Sequence, residues 1–248
     1  MMNLFGRSGF SHGDRIEAAG QPVRLSVNAR ARRISLRVDR VKREAIATAP
    51  SVRLLGEAVA FARERADWIA DQLADLPKTT PLRPGAALTL FGRPVHLVAG
   101  SGRAKLAEGL DGFTITAPDD AAYGDRVLRL VKAEARRWLT ERTVVYAAAL
   151  NQPVPQIAIT DTRGRWGSCR PTSARGPAAI RYSWRLAMAP ADVADYVVAH
   201  ECAHLIEANH GPRFWALVRQ INGDPAPHRG WLKREGGRLQ AVGRSPAP

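Results

Sequence analysis

The sequence predicts an α+β protein: a strand-rich N-terminal half with one helix, then a C-terminal half in which helices flank a small sheet. Three observations predict it. Short runs between residues 21 and 120 alternate apolar with polar residues, the period of half-buried strands. One longer stretch there, 54–76, instead carries apolar residues at helical spacing. Beyond residue 121 helical periods dominate, interrupted by two short β-like runs.

The elements follow in order. Residues 1 to about 20 are polar and glycine-containing and read as an irregular end. Val23, Leu25 and Val27 alternate within a strand from Pro22 to Asn28, and Ile34, Leu36 and Val38 repeat the pattern. Glu44 to Thr48 forms a third short strand, stopped by Pro50. A helix from Leu54 to Leu76 sets Val59, Ala62, Ala66, Ile69 and Leu73 on one face, with Trp68 near it. Pro77, Pro81 and Pro84-Gly85 mark a loop. One hairpin pairs Leu88 and Leu90 with Val95 and Leu97 around Phe91-Gly92-Arg93. A second runs from Ala104 to Ala117 and turns near Asp111-Gly112. A long helix covers Arg126 to Leu150, with Leu128, Val131, Ala135 and Trp138 inward. Strands follow at Gln156–Thr160 and Ala178–Trp184, separated by a loop at 162–176, then helices at Ala191–Ala208, Phe214–Ile221 and Arg229–Arg234. The resulting division is an irregular segment 1–20, a strand-rich region 21–120, a second domain 121–240 and a tail 241–248, with no internal repeat.

Composition narrows the class. A chain of 248 residues builds one large domain or two small lobes, and 45% hydrophobic with 24% charged residues is ordinary for a globular protein. No window is apolar for long enough to span a bilayer, so no membrane partner is expected. Met1 to Asp14 lacks the apolar core of a signal peptide, and the expected location is cytoplasmic. Two cysteines, Cys169 and Cys202, make no disulfide framework. The net charge of +14 permits a nucleic-acid partner through a basic surface. Its densest stretch is Arg24 to Arg43, which reads equally as a solvated face of a strand pair.

The most informative residues are His200-Glu201-Cys202-Ala203-His204, an H-E-x-x-H pattern. Residues four apart on a helix share a face, so both imidazoles reach one metal ion while Glu201 flanks it. Pro190 and Asp192 suit the start of that helix. Val193, Val197, His200 and His204 form one stripe, and Val198, Cys202 and Leu205 a second beside it. A helix apolar over so much of its circumference is buried, and two histidines and a glutamate there need a partner, which a metal supplies. His210 is the third ligand, brought back by a left-handed Asn209 and a bend at Gly211. Three protein ligands leave a position for water, the catalytic arrangement of Zn²⁺; Cys169 as a fourth would make the site structural. Glu201 is the general base. Arg165, Trp166 and Gly167 lie in one loop: Arg165 suits an oxyanion and Gly167 a close substrate approach, while packing explains Trp166 equally well. Tyr182 and His228 are further transition-state donors to test, whereas Phe214, Trp215 and Trp231 read as core and His12 and His96 as ordinary surface or strand positions.

Arg165-Trp166-Gly167-Ser168-Cys169, Tyr196 to Leu205, Asn209-His210 and Phe214-Trp215-Ala216-Leu217-Val218 resemble the YgjP-like metallopeptidases, bacterial zincins related to the SprT-like and WLM proteases. The resemblance implies a zincin-like metallopeptidase domain at 121–240, with the motif helix packed on a small sheet. It also implies zinc at His200, His204 and His210, Glu201 as base, and a protein or peptide substrate. Two positions depart from the family: Cys202 stands where leucine is common. The strand Ile180 to Trp184 lacks the asparagine often found there. The histidine spacing also matches metzincins, but Glu207 replaces their glycine and no Met-turn methionine follows. The rival reading is a basic nucleic-acid-associated module with a mainly structural zinc site, or a protease acting near DNA.

Overall fold

The computed structural model describes residues 9–39, 42–76, 80–162, 164–174 and 176–243. It divides into two compact units, one within Met1–Lys78 and one within Thr79–Ser245. The sequence pattern, by contrast, groups 21–120 together. The hairpins beyond residue 86 fall in the second unit because Leu90, Val95, Leu97 and Ile115 share a core with the long helix that follows them.

The first unit is a four-stranded sheet covered by two helices. Strands β1 (Arg15–Ala18), β2 (Gln21–Val27), β3 (Ser35–Asp39) and β4 (Glu44–Ala49) lie in the order β1-β2-β4-β3. The central pair β2·β4 is parallel and the outer pairs are antiparallel. β1 lies where the pattern predicts an irregular end; Ile16 pairs with Val23 there, and the strand is too short to display a period. The stretch read as one helix is two, α1 (Leu55–Glu64) and α2 (Ala66–Ala74), broken at Arg65 with φ −100° and ψ 21°. Leu55, Val59, Ala62, Ile69 and Leu73 pack on Val23, Leu25 and Ala47 in one core. Glu44, 4% exposed, is held by Arg24 at 2.7 Å and Arg15 at 3.4 Å.

The second unit begins with another four-stranded sheet. Strands β5 (Ala87–Leu90), β6 (Arg93–Ala99), β7 (Lys105–Gly109) and β8 (Gly112–Ala117) lie in the order β5-β6-β8-β7, again with a parallel central pair and antiparallel outer pairs. Contrary to the expectation of no repeat, the two sheets share a sequence signature. Gly20-Gln21-Pro22-Val23-Arg24-Leu25 and Gly92-Arg93-Pro94-Val95-His96-Leu97 occupy equivalent positions after the first turn. Both turns use a non-glycine and then a glycine at positive φ: Ala19 at 48° and Gly20 at 78°, Phe91 at 50° and Gly92 at 81°. Two successive positive φ values are the type I′ geometry that matches strand twist.

Helix α3 (Tyr123–Ala149) follows and buries Val127, Val131, Ala135 and Leu139. Then come β9 (Gln156–Thr160), β10 (Gly167–Arg170) and β11 (Ala179–Ser183), in the order β10-β11-β9. β10 lies inside the stretch read as a loop. Its sequence, Gly-Ser-Cys-Arg, has no apolar alternation, and it is a strand because its residues pair antiparallel with β11. A 3-10 helix at Trp184–Met188 leads to α4 (Ala191–Ala203), α5 (Pro212–Asn222) and α6 (Ala226–Ala241). The last is much longer than its short apolar signal at Arg229–Arg234 predicts. Among the described residues no helix is long and apolar enough to cross a membrane. Most of the tail, 244–248, lies outside the described residues.

Candidate metal centre

Helix α4 carries His200 and Glu201 and ends at Ala203, five residues before the predicted stop. The amide of Leu205 donates to the Cys202 carbonyl and that of Ile206 to Ala203, three residues back in each case, which tightens the last turn and closes the helix. His204 sits at this C-terminal cap. The chain then returns through Asn209, whose carbonyl accepts from the Gly211 amide at 2.7 Å, and α5 starts with Pro212 in its first turn. Asn209 is not left-handed, contrary to expectation; the tight Asn209–Gly211 turn brings His210 back instead.

The three predicted ligand histidines come together. One nitrogen from each of His200, His204 and His210 lies within 4.8 Å of the others, and His200 Nε2 and His210 Nε2 are 3.0 Å apart. Tetrahedral coordination with bonds of about 2.0–2.1 Å would set such nitrogens about 3.3 Å apart, so the donor set fits a small divalent ion. Neighbouring groups orient the rings. His204 Nδ1 donates to the Glu207 carbonyl at 2.9 Å, which leaves Nε2 with its lone pair. Tyr196, one turn before His200, places its hydroxyl 3.4 Å from His200 Nδ1. Phe214, fully buried on α5, lies under all three rings at 4.4–4.8 Å between centroids. Burial, reinforced by the charges of His204, His210 and Arg229, pushes His200 down to about 3, and burial likewise lowers His204. Both shifts favour the neutral imidazole on His200 and His204, the form that ligates metals.

Glu201 lies against Gly167 of β10. It is 5% exposed, and burial pushes its carboxyl up to about 7 against the opposing charge of Arg165. Gly167 makes that position available: a Cβ there would lie 2.5 Å from Glu201 Oε1 and 2.6 Å from its Cγ. The predicted close approach at Gly167 therefore occurs, but to the glutamate of α4. Trp166 packs on α6, where a Cβ on Gly236 would meet its ring at 2.8 Å, and its carbonyl accepts from the Ser183 amide. Packing accounts for Trp166. Arg165 is exposed at the edge of the same loop.

Tyr182 does not join the cluster. It is fully buried, and its hydroxyl donates to Thr143 Oγ1 at 3.0 Å, because Thr143 gives its own proton to the Leu139 carbonyl. Cys169 is outside the ligand group, and burial pushes its thiol up to about 12. His228 stacks on Tyr196 at 5.6 Å. Asp195, on α4, accepts from Arg142 and Tyr146 of α3, and Asn222 of α5 donates to that tyrosine at 2.8 Å. This network laces the helices that carry the histidines. The sequence pattern missed Tyr196, although its position four residues before His200 is a legible signal. It also missed Arg229, which reaches the site only because α6 folds back.

Clustered imidazoles beside a buried acid are the equipment of a metal-dependent hydrolase. The chain belongs to the YgjP-like family: that family's metallopeptidase domain matches residues 32–235. No curated protein and no solved structure matches the chain.

Proposed function

We propose that the protein is a zinc-dependent peptidase in which Glu201 is the general base. The observation that carries the reading is the convergence of His200, His204 and His210 on one point, with Glu201 buried on the same helix. His200, His204 and His210 would hold the ion through ring nitrogens. When bound, zinc supplies Lewis acidity, making a water acidic near neutral pH and polarising a carbonyl. Glu201 takes the proton from the attacking water on a carboxylate oxygen and returns it to the leaving amide nitrogen. Gly167 keeps the space that Glu201 occupies, and the Glu207 carbonyl and Tyr196 hydroxyl hold two ligand rings in orientation. Arg165, beside Glu201, offers a cation to the oxyanion that develops as the amide carbon becomes tetrahedral.

Two variants test this together. Glu201→Gln should retain zinc and lose casein hydrolysis by roughly 10²–10⁴-fold. Gly167→Ala should also retain zinc and lose activity, because the added methyl displaces the glutamate. Wild-type hydrolysis rates in Glu201→Gln would overturn the mechanism.

A further inference from the structure

We propose that Arg229, seated on Trp215, is a specificity-determining residue that receives a carboxylate of the substrate at the edge of the metal centre. The proposal rests on the peptidase reading above. The guanidinium carbon of Arg229 lies 4.9 Å from the Trp215 ring centroid. That ring is in turn 6.0 Å from the His200 ring and 5.8 Å from the His210 ring. One indole therefore bridges an exposed cation and two of the three ligand histidines. The stack holds the guanidinium plane without using its N–H donors, so the fork that matches a carboxylate bidentately stays available.

The neighbouring charges sharpen the case. Arg126, Arg137, Arg142 and Arg185 in the same unit are each tied to a carboxylate. Among the described residues no carboxylate forms an ion pair with Arg229. Its place is nonetheless fixed, because the preceding residue, His228, stacks on Tyr196 of α4. An anion arriving beside His200 meets an arginine whose donors are not occupied by a protein carboxylate. Two substrate groups have the required chemistry: an acidic side chain near the scissile bond, or the C-terminal carboxylate of a short peptide.

Equilibrium binding separates these sources without requiring turnover. The probes are four dye-labelled alanine-glycine peptides, carrying either one internal glutamate or glutamine and ending either as a free acid or as an amide. Their affinities are read by fluorescence anisotropy on the zinc-loaded, full-length Glu201→Gln protein, alone and combined with Arg229→Gln or Arg238→Gln. Arg238 lies further along α6 with its side chain 76% exposed and controls for loss of net charge. The expected result is about a tenfold preference for one carboxylate-bearing form, the size of a charge-assisted hydrogen bond. That preference should vanish with Arg229→Gln and persist with Arg238→Gln. A preference for internal glutamate assigns a side-chain subsite, and one for the free acid assigns a C-terminal subsite. Equal affinities for all four peptides, or a preference that survives Arg229→Gln, overturns the proposal. If wild-type protein hydrolyses casein while the peptides bind equally, the Arg229 subsite fails alone. If casein is not hydrolysed and no peptide binds, the peptidase reading falls and the subsite with it.

Discussion

The two four-stranded sheets are the same device put to different uses. Both have the order hairpin, parallel centre, hairpin, and both enter the parallel strand through Gly-x-Pro-Val-x-Leu. In the first, the turn is Ala19-Gly20, exposed at the surface. In the second it is Phe91-Gly92, where Phe91 stacks on Trp138 of α3 at 4.2 Å and its amide donates to the Ala187 carbonyl. Thr89 adds a hydrogen bond to the Met188 carbonyl at 2.8 Å. These contacts hold the 3-10 segment that leads into α4. A few side chains at one turn thus couple a generic sheet to the helix that carries His200 and Glu201.

A second difference lies at the start of the last strand. Glu44 occupies the position beside Pro22, but the equivalent Gly112, at φ 139°, leaves no room beside Pro94: a Cβ would lie 2.3 Å from the Pro94 carbonyl oxygen. Gly112→Ala should therefore cause the largest loss of stability in the comparison, about 3 kcal/mol from strain and overpacking together. Urea denaturation checks it, and a midpoint equal to wild type would break the account. Phe91→Ala should cost about 2 kcal/mol, since the residue is half-buried and stacked. Ala19→Phe, its mirror in the exposed turn, should change stability by less than about 0.5 kcal/mol.

Gly20→Ala and Gly92→Ala probe what the sheets share. Both glycines hold positive φ, so each change should cost about 1 kcal/mol, and equal losses would confirm that the turns are equivalent. A further effect is acid-dependent. Asp161 pairs with Arg185, which is 1% exposed. Burial raises the Asp161 carboxyl, but the hydrogen bond and charge of Arg185 outweigh it and hold the group below its ordinary value of 3.8. A depressed carboxyl stabilises the folded form above that value and ceases to do so as pH falls through the lowered one. Asp161→Asn should thus cost no more than about 1 kcal/mol at pH 7, the aspartate being half exposed, and the deficit should shrink toward zero in acid. A deficit constant with pH would exclude the pair as its source.

The approach of His200 to His204 is legible in the sequence because residues four apart on a helix share a face. Other parts lacked a local signal. β10 is a strand through its partner β11, and the role of Gly167 depends on a glutamate far along the chain. The buried orientation of Tyr182 follows from which sheet face meets α3, a fact no alternation pattern encodes. The break at Arg65 carries no proline or glycine to announce it, and the paired sheets share little beyond Gly-x-Pro-Val-x-Leu and the Thr-Ala-Pro at 48–50 and 116–118.

Everything proposed for the site depends on three histidines holding one catalytic ion. Elemental analysis of the full-length protein, purified without chelators, beside His210→Ala tests it most directly. About one zinc per chain is expected in the wild type and a clear loss in the variant. No metal in the wild type, or full retention in His210→Ala, would contradict it.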